Sequence, residues 1–179
     1  MRLPYSTCSE TYVWYALDVA GARPRPPLPE GLALDVEPGG RPGSLVWSVL
    51  AGDEKVFGCW THERRTPLRA LPDGLLDLPP GVACLEDSRT APAFRGQGVA
   101  PAAWAALADR LEGTATLVTK IRDDNAPSRR GVEKVGFAEV ARMEVRQNGP
   151  LVRLRCAAAD PRAAFLAERL DGVRALVRG

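Results

Sequence analysis

The sequence contains very little lysine and histidine. Of the 24 basic residues only three are lysines (Lys55, Lys120 and Lys134), and His62 is the single histidine. The acidic residues number 22, so the formal net charge is only +2, and it is spread along the chain without a basic patch. This balance argues against nucleic acid as the main partner.

Cysteines are few and far apart. Cys8, Cys59, Cys84 and Cys156 include no Cys-x-x-Cys pair, so neither a metal site nor a disulfide framework is predicted, and we expect free thiols in a reducing compartment. No apolar run is long enough to cross a membrane. The first twenty residues mix charged and aromatic side chains and have no signal-peptide core. We therefore expect a soluble, cytoplasmic protein with no membrane partner.

Length and composition are those of an ordinary globular protein. The chain has 179 residues, of which 45% are hydrophobic and 26% charged. A chain of this size is long enough for one domain with a substantial core and short for two. We therefore treat residues 1–179 as a single domain.

The most informative stretch is a glycine-bearing turn between a predicted strand, Val82–Asp87, and a predicted helix, Pro101–Glu112. The first N–H groups of a helix have no partner within the helix, and the helix dipole adds positive charge there, which favours an anion such as phosphate. Gly96 and Gly98 would let a bulky ligand approach the main chain. Pro101 falls in the first helical turn, where its missing N–H costs nothing.

Two common phosphate-binding motifs do not fit this turn. A dinucleotide-binding fingerprint needs a third glycine where Pro101 stands, and a P-loop needs Gly-Lys-Ser/Thr, which the sequence lacks. Arg95 to Ala100 instead resembles the pyrophosphate-binding motif of the GNAT acetyltransferase superfamily, Gln/Arg-x-x-Gly-x-Gly/Ala. An ordinary turn that caps a surface helix is the alternative interpretation of this motif alone.

A second motif strengthens the resemblance. Asn125 to Phe137 is similar to the fourth-helix signature of the same superfamily, which runs Asn-x-x-Ala/Ser, a short helix and Lys-x-Gly-Phe. One helix pattern and one β-branched run, Thr114–Ile121, separate the two motifs, which is the length a βαβ unit requires. The resemblance covers residues 82–156.

The resemblance implies an α+β, three-layer fold with flanking helices. Its mixed, mostly antiparallel sheet has two central parallel strands that splay apart to admit acyl-coenzyme A. The implied cosubstrate is acetyl-CoA, with no metal. The implied coenzyme A contacts are the backbone of Ser88, Arg89 and Thr90 for the pantetheine arm, the N–H groups of Arg95, Gly96, Gln97, Gly98, Val99 and Ala100 for the pyrophosphate, and Asn125 and Ser128 near the thiol.

The chemistry of amide formation needs a base for the acceptor amine, and the nearby carboxylates are Glu86 and Asp87. In a regular strand these two point to opposite faces. We expect Glu86 to share its face with Cys84, Ser88 and Thr90, and we prefer it as the base. The tyrosine that relatives use as general acid is replaced by Val132, so water or Ser128 would supply that proton. Trp60, His62 and Glu86 are the predicted acceptor contacts.

Residues 1–81 depart from the superfamily pattern. Strands are predicted over Thr11–Val19 and Leu32–Val36, and a hairpin over Leu45–Leu50 and Lys55–Thr61. The short turn between the second and third of these strands has no room for the two helices that relatives place there. His62–Gly81 is predicted as a long loop, which is either an apolar flap packed on the sheet or a substrate lid.

The C-terminal part contains one hairpin and one helix. Strands Ala138–Gln147 and Leu151–Cys156 flank Asn148-Gly149, a strong hairpin signal. Asp160-Pro161 is typical of a helix start, and Leu166, Leu170, Val173 and Val177 form a stripe at helical spacing. We expect this helix, within residues 157–179, to dock on the domain or on a second subunit of a homodimer.

These observations predict an N-acyltransferase that moves an acetyl group from acetyl-CoA to a primary amine of a small molecule or peptide by direct attack. One alternative is a noncatalytic acyl-CoA-binding or regulatory module, which the valine at position 132 favours. Another is modification of a protein, as a protein N-acetyltransferase, or of tRNA, and the small net charge disfavours tRNA.

Overall fold

The computed structural model describes residues 7–176, and its central feature is a mixed sheet of nine strands. Their order across the sheet is β11-β10-β9-β1-β8-β7-β4-β3-β2, and only β7 and β8 run parallel to each other. The strands of this sheet are β1 (Thr7–Asp18), β2 (Leu32–Pro38), β3 (Ser44–Ala51), β4 (Glu54–Glu63), β7 (Val82–Thr90), β8 (Thr116–Arg122), β9 (Ala138–Asn148), β10 (Leu151–Ala158) and β11 (Arg174–Leu176). The predicted α+β fold is confirmed.

Helices cover both faces of the sheet and make the fold three-layered. The α-helices are α1 (Val99–Ala108), α2 (Ala126–Glu133) and α3 (Ala164–Leu170). α1 begins two residues before the predicted start, so Pro101 still lies in its first turn. No helix within residues 7–176 has the length and apolar character needed to span a bilayer.

The two hydrophobic cores follow from the alternation of side chains along the strands. In β1, Val13, Tyr15 and Leu17 pack in the core under α1 and α2. Trp14 and Ala16 pack in the opposite core with α3. All five of these residues are at most 1% exposed, because β1 lies between β8 and β9 near the middle of the sheet. The predicted strand Thr11–Val19 is therefore an inner strand that is buried on both faces.

In the N-terminal half, the connection between β2 and β3 is as predicted, whereas the predicted loop after β4 contains additional strands. A short turn joins β2 to β3, and no α-helix lies between residues 19 and 43. The predicted loop His62–Gly81 contains a small hairpin of β5 (Arg65–Pro67) and β6 (Leu75–Asp77). Leu68, Leu76 and Leu78 are buried in the core on the α3 face, as the flap interpretation requires.

The C-terminal helix is shorter than its apolar stripe predicts. Asp160 caps a turn of 3₁₀ helix by accepting a hydrogen bond from the Arg162 N–H at 2.9 Å. α3 then ends at Leu170, and the chain turns back through Gly172, whose φ is +76°, to pair β11 with β10. The helical stripe through Val173 is therefore wrong, and Val177 lies outside the described residues. Leu166 and Leu170 are fully buried, so α3 docks on its own domain.

Candidate functional site

The site begins where the two parallel strands separate. β7 and β8 pair from Val82 opposite Thr116 to Leu85 opposite Thr119. There the Thr119 hydroxyl donates to the Leu85 carbonyl at 2.9 Å. Further on, β7 pairs with β4 and β8 pairs with β1, but in the described residues they no longer pair with each other. The predicted splayed pair is present, and it leaves backbone groups of both strands facing the gap.

A β-bulge at Asp87 breaks the regular alternation of β7. Asp87 has φ +53°, and the three-residue step from Glu86 to Arg89 on β7 lies opposite the two-residue step from Trp60 to Gly58 on β4. Such a bulge inserts one residue and reverses the side-chain phase beyond it. Aspartate is among the residues that tolerate a left-handed backbone.

The bulge corrects the predicted face assignment. The Cys84 thiol donates to Glu86 Oε1 at 3.3 Å, so these two residues share a face as expected. Ser88 does not share it, because its hydroxyl accepts a hydrogen bond from Trp104 Nε1 of α1, on the opposite face, at 3.0 Å. Glu86 and Asp87 line the same cavity rather than opposite faces.

On the α1 side of the sheet lies a cavity of about 790 Å³. It is formed by the end of β7, the turn before α1, and α2. Nearly all of the predicted coenzyme A contacts line it: Ser88, Arg89, Thr90, Arg95, Gly96, Gly98, Val99, Ala100, Asn125 and Ser128. Gln97 is not among the lining residues, and its side-chain amide donates to the Ala93 carbonyl at 2.7 Å. Arg95 is held by a hydrogen bond from its Nε to the Thr90 carbonyl at 3.1 Å.

The two glycines of the turn leave open space for a ligand. Gly96 and Gly98 have φ of +76° and +79°, and a Cβ added to either would meet no atom within 4 Å. Gly98 is the N-cap of α1 and has no side chain to occupy the free N–H groups of the first turn. This cradle of N–H groups beside Arg95 fits a pyrophosphate by both shape and charge.

The short helix α2 closes the other side of this cavity. Asn125 caps it by accepting a hydrogen bond from the Ser128 N–H at 3.2 Å. Gly131 faces α1, and a Cβ there would lie 3.0 Å from the ring of Trp104, so the helices approach closely because this residue is glycine. Val132 is 1% exposed and packs in the core. Its side chain brings no proton donor to the site.

A smaller cavity of about 260 Å³ lies in the split itself. It shares Ser88, Asn125 and Ser128 with the cavity on the α1 side. It shares Tyr12 and Lys120 with a third cavity, of about 970 Å³, on the opposite face. The three cavities therefore adjoin one another across the split, and we refer to this series of neighbouring cavities as the passage through the sheet.

The 970 Å³ cavity contains the predicted acceptor residues. Trp60 and His62 lie two residues apart on β4, and their rings stack with centroids 6.0 Å apart and planes inclined by 8°. Both line this cavity together with Glu86. Burial lowers the pKa of His62, an effect that Arg41 and Lys120 reinforce and Glu86 opposes. His62 is therefore a neutral imidazole near pH 7.

Glu86 lies at the junction of the cavities and is ion-paired with Lys120. Its Oε1 also accepts a hydrogen bond from the Thr66 hydroxyl at 3.1 Å. The Glu86 and Lys120 side chains are only 17% and 13% exposed. Oε2 has no hydrogen-bond partner among residues 7–176, which leaves it for a ligand or a water molecule.

Two residues of the junction were not predicted from the sequence. Lys120 donates to the Pro67 carbonyl at 3.1 Å and lies over the Trp14 ring, 5.7 Å from its centroid. Tyr12 donates to Glu10 at 2.7 Å, and burial together with this carboxylate raises the pKa of Tyr12 to about 12. Neither lies in a motif. The rarity of lysine in this chain was the one available signal for Lys120.

Comparison with solved structures gives several matches at low identity. A GCN5-related N-acetyltransferase from Kribbella flavida is 16% identical with a TM-score of 0.57, over 80% of this chain and 60% of that one. One from Sphaerobacter thermophilus is 12% identical with a TM-score of 0.55, over 81% and 53%. A Drosophila protein is 13% identical with a TM-score of 0.56, over 81% and 52%. These likenesses concern the fold, and the chain spans little more than half the length of these proteins.

Comparison by sequence gives one match, which is to a family model. No curated protein matches the chain. The model of the acetyltransferase (GNAT) family, however, matches residues 9–137, which is well over half of the sequence. This range includes the glycine-bearing turn before α1, the splayed strands β7 and β8, and α2. The chain therefore belongs to the GNAT family of acetyltransferases, whose members catalyse acyl transfer.

Proposed function

We propose that this protein is an N-acyltransferase that moves an acetyl group from acetyl-CoA to a primary amine of a small molecule or peptide. The observation that carries the proposal is the passage through the sheet. It joins an anion cradle at Gly96 and Gly98 to a cavity that contains a carboxylate, Glu86. A cosubstrate with a pyrophosphate at one end and a reactive acyl group at the other would span this passage.

The cavity on the α1 side would hold the cosubstrate. The free N–H groups at the start of α1 and the Arg95 charge suit its pyrophosphate, and the unpaired edge of β7 at Ser88–Thr90 suits the amides of its pantetheine arm. When bound, acetyl-CoA supplies a thioester as the acetyl donor. The backbone N–H groups facing the split are placed to stabilise negative charge on the thioester oxygen.

Glu86 is the preferred base for the acceptor amine. The amine lone pair forms the new C–N bond, the C–S bond breaks, and its electron pair leaves with sulfur. The proton released by the amine passes to Glu86 Oε2, directly or through a water molecule. Lys120 and Thr66 hold the carboxylate in position through Oε1. A base so placed contributes about 10²–10⁴-fold to the rate.

His62 is a second candidate base. Its imidazole is neutral near pH 7, because burial lowers its pKa, and it lines the same cavity as Glu86. Asp87 is a weaker candidate, because it is ion-paired with Arg89 at 3.0 Å and is largely exposed. Comparing Glu86→Gln, His62→Gln and Asp87→Asn would rank the three. We expect the first to lose the most activity while coenzyme A affinity is unchanged.

The leaving thiolate can be protonated without the usual tyrosine. A thiol has an ordinary pKa of about 8.5, so its thiolate is a tolerable leaving group near neutral pH. Lys120, Tyr12 and Ser128 all line the small cavity in the split, as does the side chain of Val132. Any of these three donors, or water, could return the proton.

The experiment that tests this function measures the release of free thiol from acetyl-CoA with a panel of amines. Steady release that depends on the amine and is lost in Glu86→Gln would support the proposal. Binding of coenzyme A without transfer to any amine would favour a noncatalytic acyl-CoA-binding module instead. The specific observation behind that second candidate is Val132, which is buried in the core and has no acid to offer.

A further inference from the structure

Each carboxylate that lines the 970 Å³ cavity already has an ion-pair or hydrogen-bond partner. Glu86 is paired with Lys120, and Asp87 with Arg89. Glu10 accepts the hydroxyl of Tyr12 and lies 4.0 Å from Arg122. None of these three carboxylates is therefore free to neutralise a further cation in the wall.

Two arginines of the same cavity have no such partner. Arg41 and Arg69 both line it, and both are exposed. Neither forms an ion pair with an acidic side chain in the part of the chain that is described. The other two cations of the wall, Lys120 and Arg89, are paired with Glu86 and Asp87. The wall thus has four cations against three carboxylates, and Arg41 and Arg69 leave the mouth of the cavity with surplus positive charge.

The two arginines lie in the two connections in which this chain departs from the superfamily pattern. Arg41 is in the short turn between β2 and β3, and Arg69 is in the turn between β5 and β6. Both turns border the acceptor cavity and neither lines the cavity on the α1 side. A ligand held by these arginines would therefore be the acceptor and not the acyl donor.

The rest of the cavity wall is suited to contact an apolar part of a ligand. The stacked Trp60 and His62 rings form one side. The apolar side chains of the wall are Pro67, Leu68, Ala70, Val145 and Val152. The lowered pKa of His62, to which Arg41 contributes, keeps that ring uncharged and is consistent with positive potential nearby.

We propose that the acceptor is a small primary amine that also carries a carboxylate, such as an amino acid with an apolar or aromatic side chain. Its amine would lie at Glu86, its side chain along Trp60 and His62, and its carboxylate between Arg41 and Arg69. Arginine suits this role because its planar guanidinium matches a carboxylate with two parallel hydrogen bonds. This inference rests on the proposed function, since it specifies the substrate of the same site.

The first arm of the test compares three acceptors that differ only in the carboxylate. These are phenylalanine, phenylalaninamide and phenethylamine, with rates expressed per unprotonated amine. We expect kcat/KM for phenylalanine to exceed the other two by at least about tenfold. Equal or better use of phenethylamine would overturn the carboxylate assignment while leaving amine acetylation intact.

The second arm assigns the preference to the two arginines. Arg41→Gln and Arg69→Gln are each expected to lower kcat/KM for phenylalanine about tenfold, and to change the value for phenethylamine less than about twofold. Arg155→Gln is the matched control, because Arg155 is an exposed arginine on β10 that does not line this cavity. Equal loss for both acceptors, or equal loss in the control, would contradict the proposal.

A third arm does not depend on catalysis. The tryptophan fluorescence of the protein, to which Trp60 in the cavity wall contributes, should report binding of N-acetylphenylalanine, the expected product, and of N-acetylphenethylamine. Tighter binding of the carboxylate compound, lost in the Arg41→Gln, Arg69→Gln double variant, would support the inference even if no turnover were found. Indistinguishable affinities would overturn it whether or not the protein is an acetyltransferase.

Discussion

The ion pair between Glu86 and Lys120 allows a quantitative test of the site. Removing one member of a fully buried pair costs about 3–5 kcal/mol, because a charge remains without its partner. Here the side chains are 17% and 13% exposed and border a cavity large enough for water, so the cost must be discounted. We expect Glu86→Gln and Lys120→Met each to lower the free energy of unfolding by about 1–2.5 kcal/mol.

The double variant should lose little more than either single variant. Glu86→Gln with Lys120→Met leaves no unpaired charge, and the glutamine can still accept from Thr66. A coupling energy of about 1–2 kcal/mol is therefore expected from the double-mutant cycle. Solvent-exposed ion pairs typically give coupling energies of about 0.2–1 kcal/mol.

Urea denaturation followed by tryptophan fluorescence measures all four stabilities. Glu144 and Arg146 on β9 supply a control cycle, because they form an ion pair at 3.1 Å with side chains that are 43% and 64% exposed. A coupling for Glu86 and Lys120 below about 0.5 kcal/mol, or no larger than that of the control, would refute the view that this pair is a desolvated unit.

Three further predictions concern the cradle, the bulge and the histidine. Gly98→Asp should raise the dissociation constant for coenzyme A at least about a hundredfold in calorimetry, because it places a negative charge where the pyrophosphate would lie. Gly113→Asp controls for backbone strain, because Gly113 is another glycine with open space around it and a positive φ (+70°). Equal loss of affinity in both variants would contradict the assignment of the cradle. Asp87→Val should lower stability to urea by about 1–2 kcal/mol, because a β-branched residue is strained at φ +53°, whereas Asp87→Gly should not; equal stabilities would argue against the bulge. The pKa of His62 is lowered in the fold, so below the unfolded value of about 6.5 the unfolded state binds more protons. Stability should therefore fall as the pH drops through that value, and His62→Gln should remove this component from urea midpoints measured between pH 5 and 8, so an unchanged profile would show that His62 does not contribute it.

The local elements of this protein were predictable because their signals are local. The strand at Val82, the glycines at positions 96 and 98 and the hairpin at Asn148-Gly149 each depend on neighbours in the sequence. The two motifs likewise indicated the GNAT family. They also predicted the glycine turn before α1, because a turn and a helix start depend only on neighbouring residues. The helical stripe failed beyond Leu170, where pairing of β11 with β10 outweighs a weak periodic pattern.

The faces on which the side chains of Glu86 and Ser88 lie were decided by tertiary structure alone. A single inserted residue at Asp87 turns Ser88 towards α1, and no periodicity in the sequence marks that bulge. Lys120 meets Glu86 because β8 lies beside β7, although the two residues are 34 positions apart. Arg41 and Arg69 line one cavity because two turns, far apart in the chain, end at the same side of the sheet. Pairs of this kind depend on strand order and register, which are set by burial of the whole sheet and not by any local pattern.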